Sequence, residues 1–204
     1  VNADKSTGRI TELIDRLEDR RSLTREEWTE LIRGRNEQAA EYLFERAREI
    51  RIRHYGHDVY IRGLIEFTNY CRNDFCLRDQ KSNPNAERYR LTPDEILACC
   101  EHGYELGFRT FVLQGGEDGW FTDSRLADIV SSIHSRWQDC AVTLSVGERS
   151  RESYRILKEA GADRFLLRHE TYDHEHYARL HPPSLSAQER QRCLWDLKDL
   201  GYQV

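Results

Sequence analysis

The sequence predicts an α/β protein, in which an N-terminal helical segment precedes the front part of a (β/α) TIM-type barrel. From residue 58 onward, short apolar stretches alternate with amphipathic helical stretches, a pattern typical of parallel strands joined by right-handed crossovers. Residues 1–57 show helical periodicity alone. Polar or glycine residues directly follow the apolar stretches, as at the functional end of a barrel. We therefore predict two domains, 1–57 and 58–204.

Three helices are predicted in the N-terminal segment, which we interpret as a structural cap. The first helix carries an apolar stripe on one face, formed by Ile10, Leu13, Ile14 and Leu17. Thr24 and Glu27 form a capping box at the start of the second helix. The third helix is predicted from Glu37 to Arg53, and Gly56 ends it.

The rest of the chain is predicted to form five strands with helices between them. The strands are Val59–Phe67, Thr110–Gln114, Ala141–Ser145, Arg164–Leu167 and one that begins at Tyr202. A second capping box, Thr92 to Glu95, starts the helix that Gly107 ends. The later helices are predicted near Arg125–Trp137, Ser150–Ala160, His174–Leu180 and Ala187–Leu200.

Two features indicate that this sequence is part of a longer one. An eight-stranded barrel typically needs about 250 residues, whereas this chain has 204. The chain also begins with Val1 and contains no methionine. Because half a barrel would leave unpaired edge strands, we expect a continuation of the chain rather than pairing between two copies.

Composition narrows the class of protein. The net charge of −5 argues against a nucleic-acid partner, because nucleic-acid-binding proteins carry basic surfaces. The sequence has no apolar run of about 18 residues and no signal peptide, so we expect no membrane partner. Six cysteines without a secretion signal are expected to be reduced, which favours a cytoplasmic location.

The most distinctive stretch is the polar loop after the first predicted strand. It contains Cys71 and Cys76, and Asn83-Pro84-Asn85 follows. Thiolates on a loop past the carboxyl end of a strand can bind an iron–sulfur cluster or zinc. The residues alone leave both kinds of metal site open.

Charged residues at other strand ends predict a pocket for a polar ligand. The Gly115–Gly116 pair lets the backbone approach a ligand closely, and Glu117 could accept a hydrogen bond from a ligand ammonium. By strand alternation, Arg168 and Glu170 are expected to point to the same side, with His169 opposite. The predicted pocket therefore carries both signs of charge.

These motifs resemble those of a known family. Asn69-Tyr70-Cys71, the cysteine-bearing loop and the segment from Asn85 to Ile96 resemble radical S-adenosylmethionine enzymes of the biotin-synthase-like group. Within that group the chain is most similar to the [FeFe]-hydrogenase H-cluster maturase, which the stretch Leu166–Thr171 favours. Family members carry Cys-x3-Cys-x2-Cys in the loop, whereas this chain has Cys71-x4-Cys76.

The resemblance implies a radical-SAM-type barrel and roles for the residues of two strand ends. Cys71 and Cys76 would be ligands of a [4Fe–4S] cluster, since Cys76 matches the last cysteine of the family motif. Gly115, Gly116 and Glu117 would contact the amino group of the methionine half of S-adenosylmethionine.

The resemblance also implies roles for residues further along the chain. Glu170 would contact S-adenosylmethionine, Arg168 would help to hold the substrate, and Arg190 would reach the carboxylate of the cofactor. Thr143 and Ser145 match family positions near the cofactor, although a hydroxyl in a strand commonly serves packing alone.

The function implied by the resemblance is enzymatic. The cluster would reductively cleave S-adenosylmethionine to a 5′-deoxyadenosyl radical. The substrate would be a small molecule of H-cluster assembly, and other hydrogenase-maturation proteins are the implied partners. Relatives that make biotin or methylornithine are the alternative within the group.

Two further alternatives differ in class. Two thiolates leave a cluster short of a ligand, and Asp79 is a hard donor poorly matched to iron–sulfur chemistry, so the chain could be a non-catalytic relative. A zinc protein would combine Cys71 and Cys76 with histidines, although His174, His176 and His181 are expected to be exposed. The remaining cysteines are predicted to lie in the core: Cys99, Cys100, Cys140 and Cys193.

Overall fold

The computed structural model describes residues 2–72, 85 and 87–204. Cys76 and Asp79, together with Asn83 and Pro84, lie outside the described residues. The chain divides into two compact units, Val1–Tyr60 and Ile61–Val204.

Three helices form the first unit: α1 (Asn2–Arg20), α2 (Arg25–Arg33) and α3 (Glu37–Tyr55). The predicted capping box begins α2, because the Thr24 side chain accepts from the N–H of Glu27 and the Glu27 carboxylate accepts from the N–H of Thr24. Asn36 caps α3 with its side chain, whose Oδ1 accepts from the N–H of Ala39 at 2.9 Å. The small core of this unit consists of Ile10, Leu13, Ile14, Leu23, Leu31 and Ala39. The predicted apolar stripe of α1 therefore faces this core.

Strands and helices alternate in the second unit. Its strands are β1 (Gly63–Thr68), β2 (Thr110–Gly115), β3 (Ala141–Ser145) and β4 (Arg164–Phe165). Its helices are α4 (Pro93–Glu105), α5 (Asp123–Arg136), α6 (Arg151–Glu159), α7 (His174–Leu180) and α8 (Ala187–Asp199). No helix among the residues described is both long and apolar enough to cross a membrane.

The four strands form one parallel sheet in the order β1-β2-β3-β4, which confirms the predicted α/β class. One row of paired residues runs across it: Ile65, Leu113, Leu144 and Phe165. All four belong to the buried core that the sheet shares with its helices. Because side chains alternate along a strand, the next row lies on the opposite face, and it contains Glu66, Gln114 and Ser145. We call this opposite side the inner face of the sheet.

Three predicted strands are shorter in the structure. The first begins at Gly63 rather than Val59, because Gly63 pairs with Phe111 near the start of β2 and the residues before it have no strand beside them within the described part of the chain. The fourth has two residues rather than four. The fifth is reduced to a single bridge between Arg164 and Gln203.

Candidate cofactor-binding site

The two ends of the cysteine-bearing loop are fastened to each other just beyond β1. Nδ2 of Asn69 donates to the carbonyl of Glu87 at 2.6 Å, and Oδ1 of Asn69 accepts from the N–H of Tyr89 at 2.9 Å. Nη1 of Arg88 donates to the carbonyl of Asn69 at 2.8 Å. The loop therefore leaves and rejoins the sheet at one fixed place.

A buried carboxylate, Asp118, ties these loop ends to the loop after β2. It accepts from Oγ1 of Thr68 at 2.8 Å and from Nε and Nη2 of Arg90 at 2.7 and 3.0 Å. The N–H of Trp120 adds a fourth hydrogen bond at 3.0 Å. Burial raises the pKa of the Asp118 carboxyl, but these hydrogen bonds outweigh burial and hold that pKa below its ordinary value. No local motif reveals the pair, because Arg90 and Asp118 are 28 residues apart.

The predicted glycine pair brings the end of β2 against the cysteine-bearing loop. A Cβ on Gly116 would lie 2.1 Å from the carbonyl oxygen of Tyr70 and 2.8 Å from Cβ of Cys71. A Cβ on Gly115 would lie 2.7 Å from Cγ2 of Thr68. The close approach that glycine allows is therefore made to the chain's own backbone, and it places Cys71 beside the residues that follow β2.

Glu117 is the acidic side chain at this junction, and only 12% of its side chain is exposed. Oε2 of Glu117 accepts from Nε of Arg72 at 2.8 Å. Oε1 of Glu117 accepts from the N–H of Glu148 at 3.3 Å. The carboxylate predicted to receive a ligand ammonium is thus held in place by donors from the loops after β1 and β3.

The loop after β3 contributes a buried ion pair. Nε of Arg190 lies 2.7 Å from Oε1 of Glu148, and the two side chains are 6% and 9% exposed. The atoms are close without the alignment of a hydrogen bond, so the contact is mainly electrostatic. Burial raises the pKa of the Glu148 carboxyl, and the charge of Arg190 opposes that rise. Sequence reasoning did not single out Glu148, whose partner lies on α8.

Arg190 also links the ends of two strands. Its Nη1 donates to the carbonyl of Arg168 at 3.0 Å. The Arg168 side chain is exposed, and its Nη2 donates to Oε1 of Gln114 at 3.3 Å. Nε2 of Gln114 in turn donates to Oε1 of Glu66 at 2.9 Å. Gln114 lies in the polar stretch expected after the second strand, whereas Glu66 is a further inner-face residue that no sequence motif identified.

Glu170 departs from the expected geometry. Strand alternation was expected to place its side chain on the side of Arg168, but β4 ends at Phe165. Glu170 has a positive φ of 62°, a backbone conformation that is uncommon outside glycine. Strand alternation therefore does not set the direction of the Glu170 side chain. Glu170 lies exposed beside the half-buried His169.

Thr143 and Ser145 both lie in β3 and are buried, with 4% and 8% of their surface exposed. Oγ1 of Thr143 is buried without a hydrogen-bond partner among the described residues. Since a buried hydroxyl normally has a partner, Thr143 offers an unused polar atom within the sheet.

A groove of about 980 Å³ borders the site. Glu117 and Glu148 line it, together with Arg72, Arg149 and Arg192. Carboxylates and guanidinium groups therefore face one space, which Glu117 lines but Arg168 and Glu170 do not.

The other cysteines and the histidines match the sequence predictions in part. Burial of Cys100, Cys140 and Cys193 agrees with the predicted core positions, whereas Cys99 is exposed, so its prediction was wrong. Cys99 and Cys100 are adjacent on α4 and therefore point in different directions.

The three histidines around α7 do not share one environment. His174 and His176 are exposed, as predicted. His181 is 5% exposed and stacks on Tyr177 with ring centroids 3.7 Å apart, so the prediction of exposure was wrong for His181. Across residues 2–72, 85 and 87–204, no group of three or more histidine, cysteine or acidic side chains is arranged to bind a metal.

Comparison with known proteins identifies the class. The chain is 43% identical over 200 residues to the [FeFe] hydrogenase maturase subunit HydE of Thermotoga maritima, an alignment that covers 97% of this chain and 56% of HydE. The solved structure of methylornithine synthase (PylB) superposes with a TM-score of 0.77 and 26% identity, and covers 93% of this chain and 56% of PylB. The structure of HydG, a maturase of the [FeFe]-hydrogenase, superposes with a TM-score of 0.83 at 22% identity, and covers 98% of this chain and 47% of HydG. No family model matches the chain.

The fold is therefore that of the radical S-adenosylmethionine barrels, of which this chain contains the front part. Within that class the chain is HydE-like, and the resemblance to the H-cluster maturase is confirmed. The chain spans about half of the length of the relatives it matches.

The described residues offer groups that fit S-adenosylmethionine and one thiol of the cysteine-bearing loop that fits an iron–sulfur cluster. Glu117 supplies a carboxylate for an ammonium, and Oγ1 of Thr143 has no hydrogen-bond partner within the described part of the chain. Cys71 is the described cysteine of that loop, and iron–sulfur clusters are held by several thiolates.

Proposed function

We propose that the chain is part of a radical S-adenosylmethionine enzyme that acts in [FeFe]-hydrogenase H-cluster assembly. The proposal extends to this chain the activity of the class to which its relatives belong. A bound [4Fe–4S] cluster would supply the electron that reductively cleaves S-adenosylmethionine. Cys71 and Cys76 are the proposed cluster ligands in this chain, and a small molecule is the proposed substrate.

One observation carries the proposal. The carboxylate of Glu117 is almost buried at the junction of three strand ends, next to the loop that contains Cys71. A cofactor that carries an ammonium and is bound near a cluster requires an acidic group at such a position. Charge-assisted hydrogen bonds in a dry site are also among the strongest polar contacts.

Further residues are assigned by the same proposal. Gly115 and Gly116 would shape the approach to the cofactor, and Thr143 and Ser145 would offer hydroxyl groups to it from β3. Glu170 would contact the cofactor from beyond β4, while Arg168 would hold the substrate. Arg190 would reach the carboxylate of the cofactor.

The test is anaerobic reconstitution with iron and sulfide, followed by analysis of both per chain and by calorimetry with S-adenosylmethionine. We expect bound iron, and binding that Glu117→Gln weakens by about tenfold or more, since a charge-assisted contact is lost. Glu152→Gln is the matched control, because Glu152 is an exposed carboxylate on α6 paired with Arg155. Absence of binding, or equal affinity of both variants and the unmodified chain, would refute the proposal.

The second candidate is a non-catalytic relative that binds the nucleoside without the cluster. The spacing Cys71-x4-Cys76, which lacks a cysteine of the family motif, favours it. It predicts S-adenosylmethionine binding that depends on Glu117 but no stoichiometric iron or sulfide. The same reconstitution experiment therefore separates the two candidates.

The remaining proposals concern the cellular setting and the domains. We propose that residues 1–57 are a helical cap and that residues 58–204 are the partial barrel. Other hydrogenase-maturation proteins are the proposed partners, and the proposed location is the cytoplasm. Co-purification from a host that expresses the other maturation proteins would test the first of these two proposals.

A further inference from the structure

The loop between β3 and α6 makes contacts with two of the groups assigned to the cofactor. We infer that Gly147 and Glu148 in this loop are positioning residues that set the carboxylate of Glu117 and the guanidinium of Arg190 for an amino-acid ligand group. The inference rests on the proposed function, since the ligand group is the methionine half of S-adenosylmethionine.

The loop packs closely against the Glu117 side chain at Gly147. Gly147 has a φ of +77°, and a Cβ there would lie 2.2 Å from Cγ and 2.5 Å from Oε1 of Glu117. The Glu117 side chain thus packs directly against a backbone position that has no side chain. Any larger residue at position 147 would have to displace the carboxylate of Glu117.

The backbone of the loop also forms a hydrogen bond with Glu117. The N–H of Glu148 donates to Oε1 of Glu117 at 3.3 Å, so the backbone of this loop fixes one carboxylate oxygen. The other oxygen accepts from Arg72, whose side chain is 64% exposed. An incoming ammonium can replace the exposed Arg72, whereas the donor from the loop backbone stays in place.

The loop also supplies one partner of the buried ion pair between Glu148 and Arg190. The Glu148 side chain lies 2.7 Å from Nε of Arg190, and both side chains are more than nine-tenths buried. Removal of one partner from a buried pair leaves an uncompensated charge. Glu148 therefore holds Arg190 in the position from which Nη1 also reaches the carbonyl of Arg168 at 3.0 Å. One loop thus couples groups at the ends of β2, β3 and β4.

The steric part is tested with a matched pair of glycines in the anaerobically reconstituted chain. Gly147→Ala adds a methyl group at a φ of +77° beside Glu117, whereas Gly201→Ala adds one at a φ of +78° with nothing within 4 Å. Both variants carry the same backbone strain. We expect Gly147→Ala to weaken S-adenosylmethionine binding in calorimetry by about 10- to 100-fold, and Gly201→Ala to leave the affinity within about twofold.

The ion-pair part is tested with Glu148→Gln against Glu152→Gln. Each variant is titrated with S-adenosylmethionine and with 5′-methylthioadenosine, which lacks the amino-acid end. We expect Glu148→Gln to weaken binding of S-adenosylmethionine by about tenfold and to leave binding of the nucleoside unchanged. A merely structural role would weaken both ligands together.

The outcomes distinguish this inference from the proposed function. Absence of S-adenosylmethionine binding by the unmodified chain would overturn both. If the unmodified chain binds and Gly147→Ala binds as tightly as Gly201→Ala, the proposed function stands and the positioning role of the loop is wrong. Equal losses for the two ligands in Glu148→Gln would overturn the role of the ion pair in the same way.

Discussion

Arg72 donates twice to Glu117: its Nε bonds Oε2 of the carboxylate at 2.8 Å, and its N–H bonds the carbonyl oxygen at 3.0 Å. Arg72 directly follows Cys71 in the chain. The cysteine-bearing loop itself therefore supplies a cation to the candidate ammonium site.

This relationship makes Arg72 a competitor for the ligand. Because the Arg72 side chain is 64% exposed, its ion pair with Glu117 is worth at most about 1 kcal/mol. We expect Arg72→Ala to tighten S-adenosylmethionine binding by about two- to fivefold in calorimetry. Arg155→Ala, which removes an exposed arginine of α6, is expected to change nothing. Weaker binding by Arg72→Ala would instead mean that Arg72 contacts the ligand.

Asp118 is predicted to stabilise the fold more than a surface carboxylate does. Its side chain is 3% exposed and is bound to Arg90 and Thr68, so Asp118→Asn leaves the guanidinium of Arg90 without its charged partner. We expect the free energy of unfolding in urea at pH 7 to fall by about 2–3 kcal/mol. Asp128→Asn, at an exposed position of α5, is the control and is expected to change it by less than about 0.5 kcal/mol.

The carboxylate of Asp118 also makes the stability of the fold depend on pH. The pKa of Asp118 is lower in the folded chain than its ordinary value of 3.8. The contribution of the ionised Asp118 carboxylate to the free energy of unfolding is therefore complete above pH 3.8. It is lost as the pH falls through the lower pKa of the folded chain. The stability difference between the unmodified chain and Asp118→Asn should be constant from pH 7 to pH 5 and shrink in more acidic buffer. A difference that grows on acidification would contradict the assigned direction.

Some parts of the structure could be predicted because they are determined by residues that are neighbours in the sequence. The apolar stretches that became β2 and β3 lie between a helix end and a polar loop, so strand position follows from neighbouring residues. Gly115 and Gly116 could be singled out for the same reason, although the structure shows their close approach to Tyr70 and Thr68. The contacts of Glu117 with Arg72 could not be predicted, because they join residues 45 apart.

The strand ends and the buried positions that were predicted incorrectly depend on contacts with other parts of the chain. Val59 and Leu166 belong to apolar stretches, yet pairing starts after Val59 and stops before Leu166. Strand length is set by the partner strand rather than by the strand's own composition. The prediction of burial for Cys99 was wrong because the orientation of α4 in the fold, and not residue type, decides which of its faces is covered. His181 directly follows α7 and stacks on Tyr177, a contact that residue type does not reveal.

A leucine-to-alanine substitution is predicted to destabilise the chain far more on one face of the sheet than on the other. Leu113 in β2 is 0% exposed and packs with the helices, whereas Leu64 in β1 lies on the inner face and is 56% exposed. Leu113→Ala is expected to lower the free energy of unfolding by about 2–5 kcal/mol. Leu64→Ala is expected to lower it by less than about 1 kcal/mol in the chain of 204 residues. Similar losses in urea denaturation would mean that the inner face is also packed.

Adjacent cysteines on α4 predict a sharp difference in thiol reactivity. Cys99 is exposed, whereas Cys100 is buried, and burial raises the pKa of the Cys100 thiol to about 12. Since the thiolate is the reactive species, iodoacetamide at pH 8 should alkylate Cys99 in the native chain and leave Cys100 unmodified until the chain is unfolded. Tandem mass spectrometry of the α4 peptide distinguishes the two positions, and Cys99→Ser should abolish native labelling of that peptide. Native labelling of Cys100 at a comparable rate would show that α4 opens readily and that its buried face is not a stable part of the core.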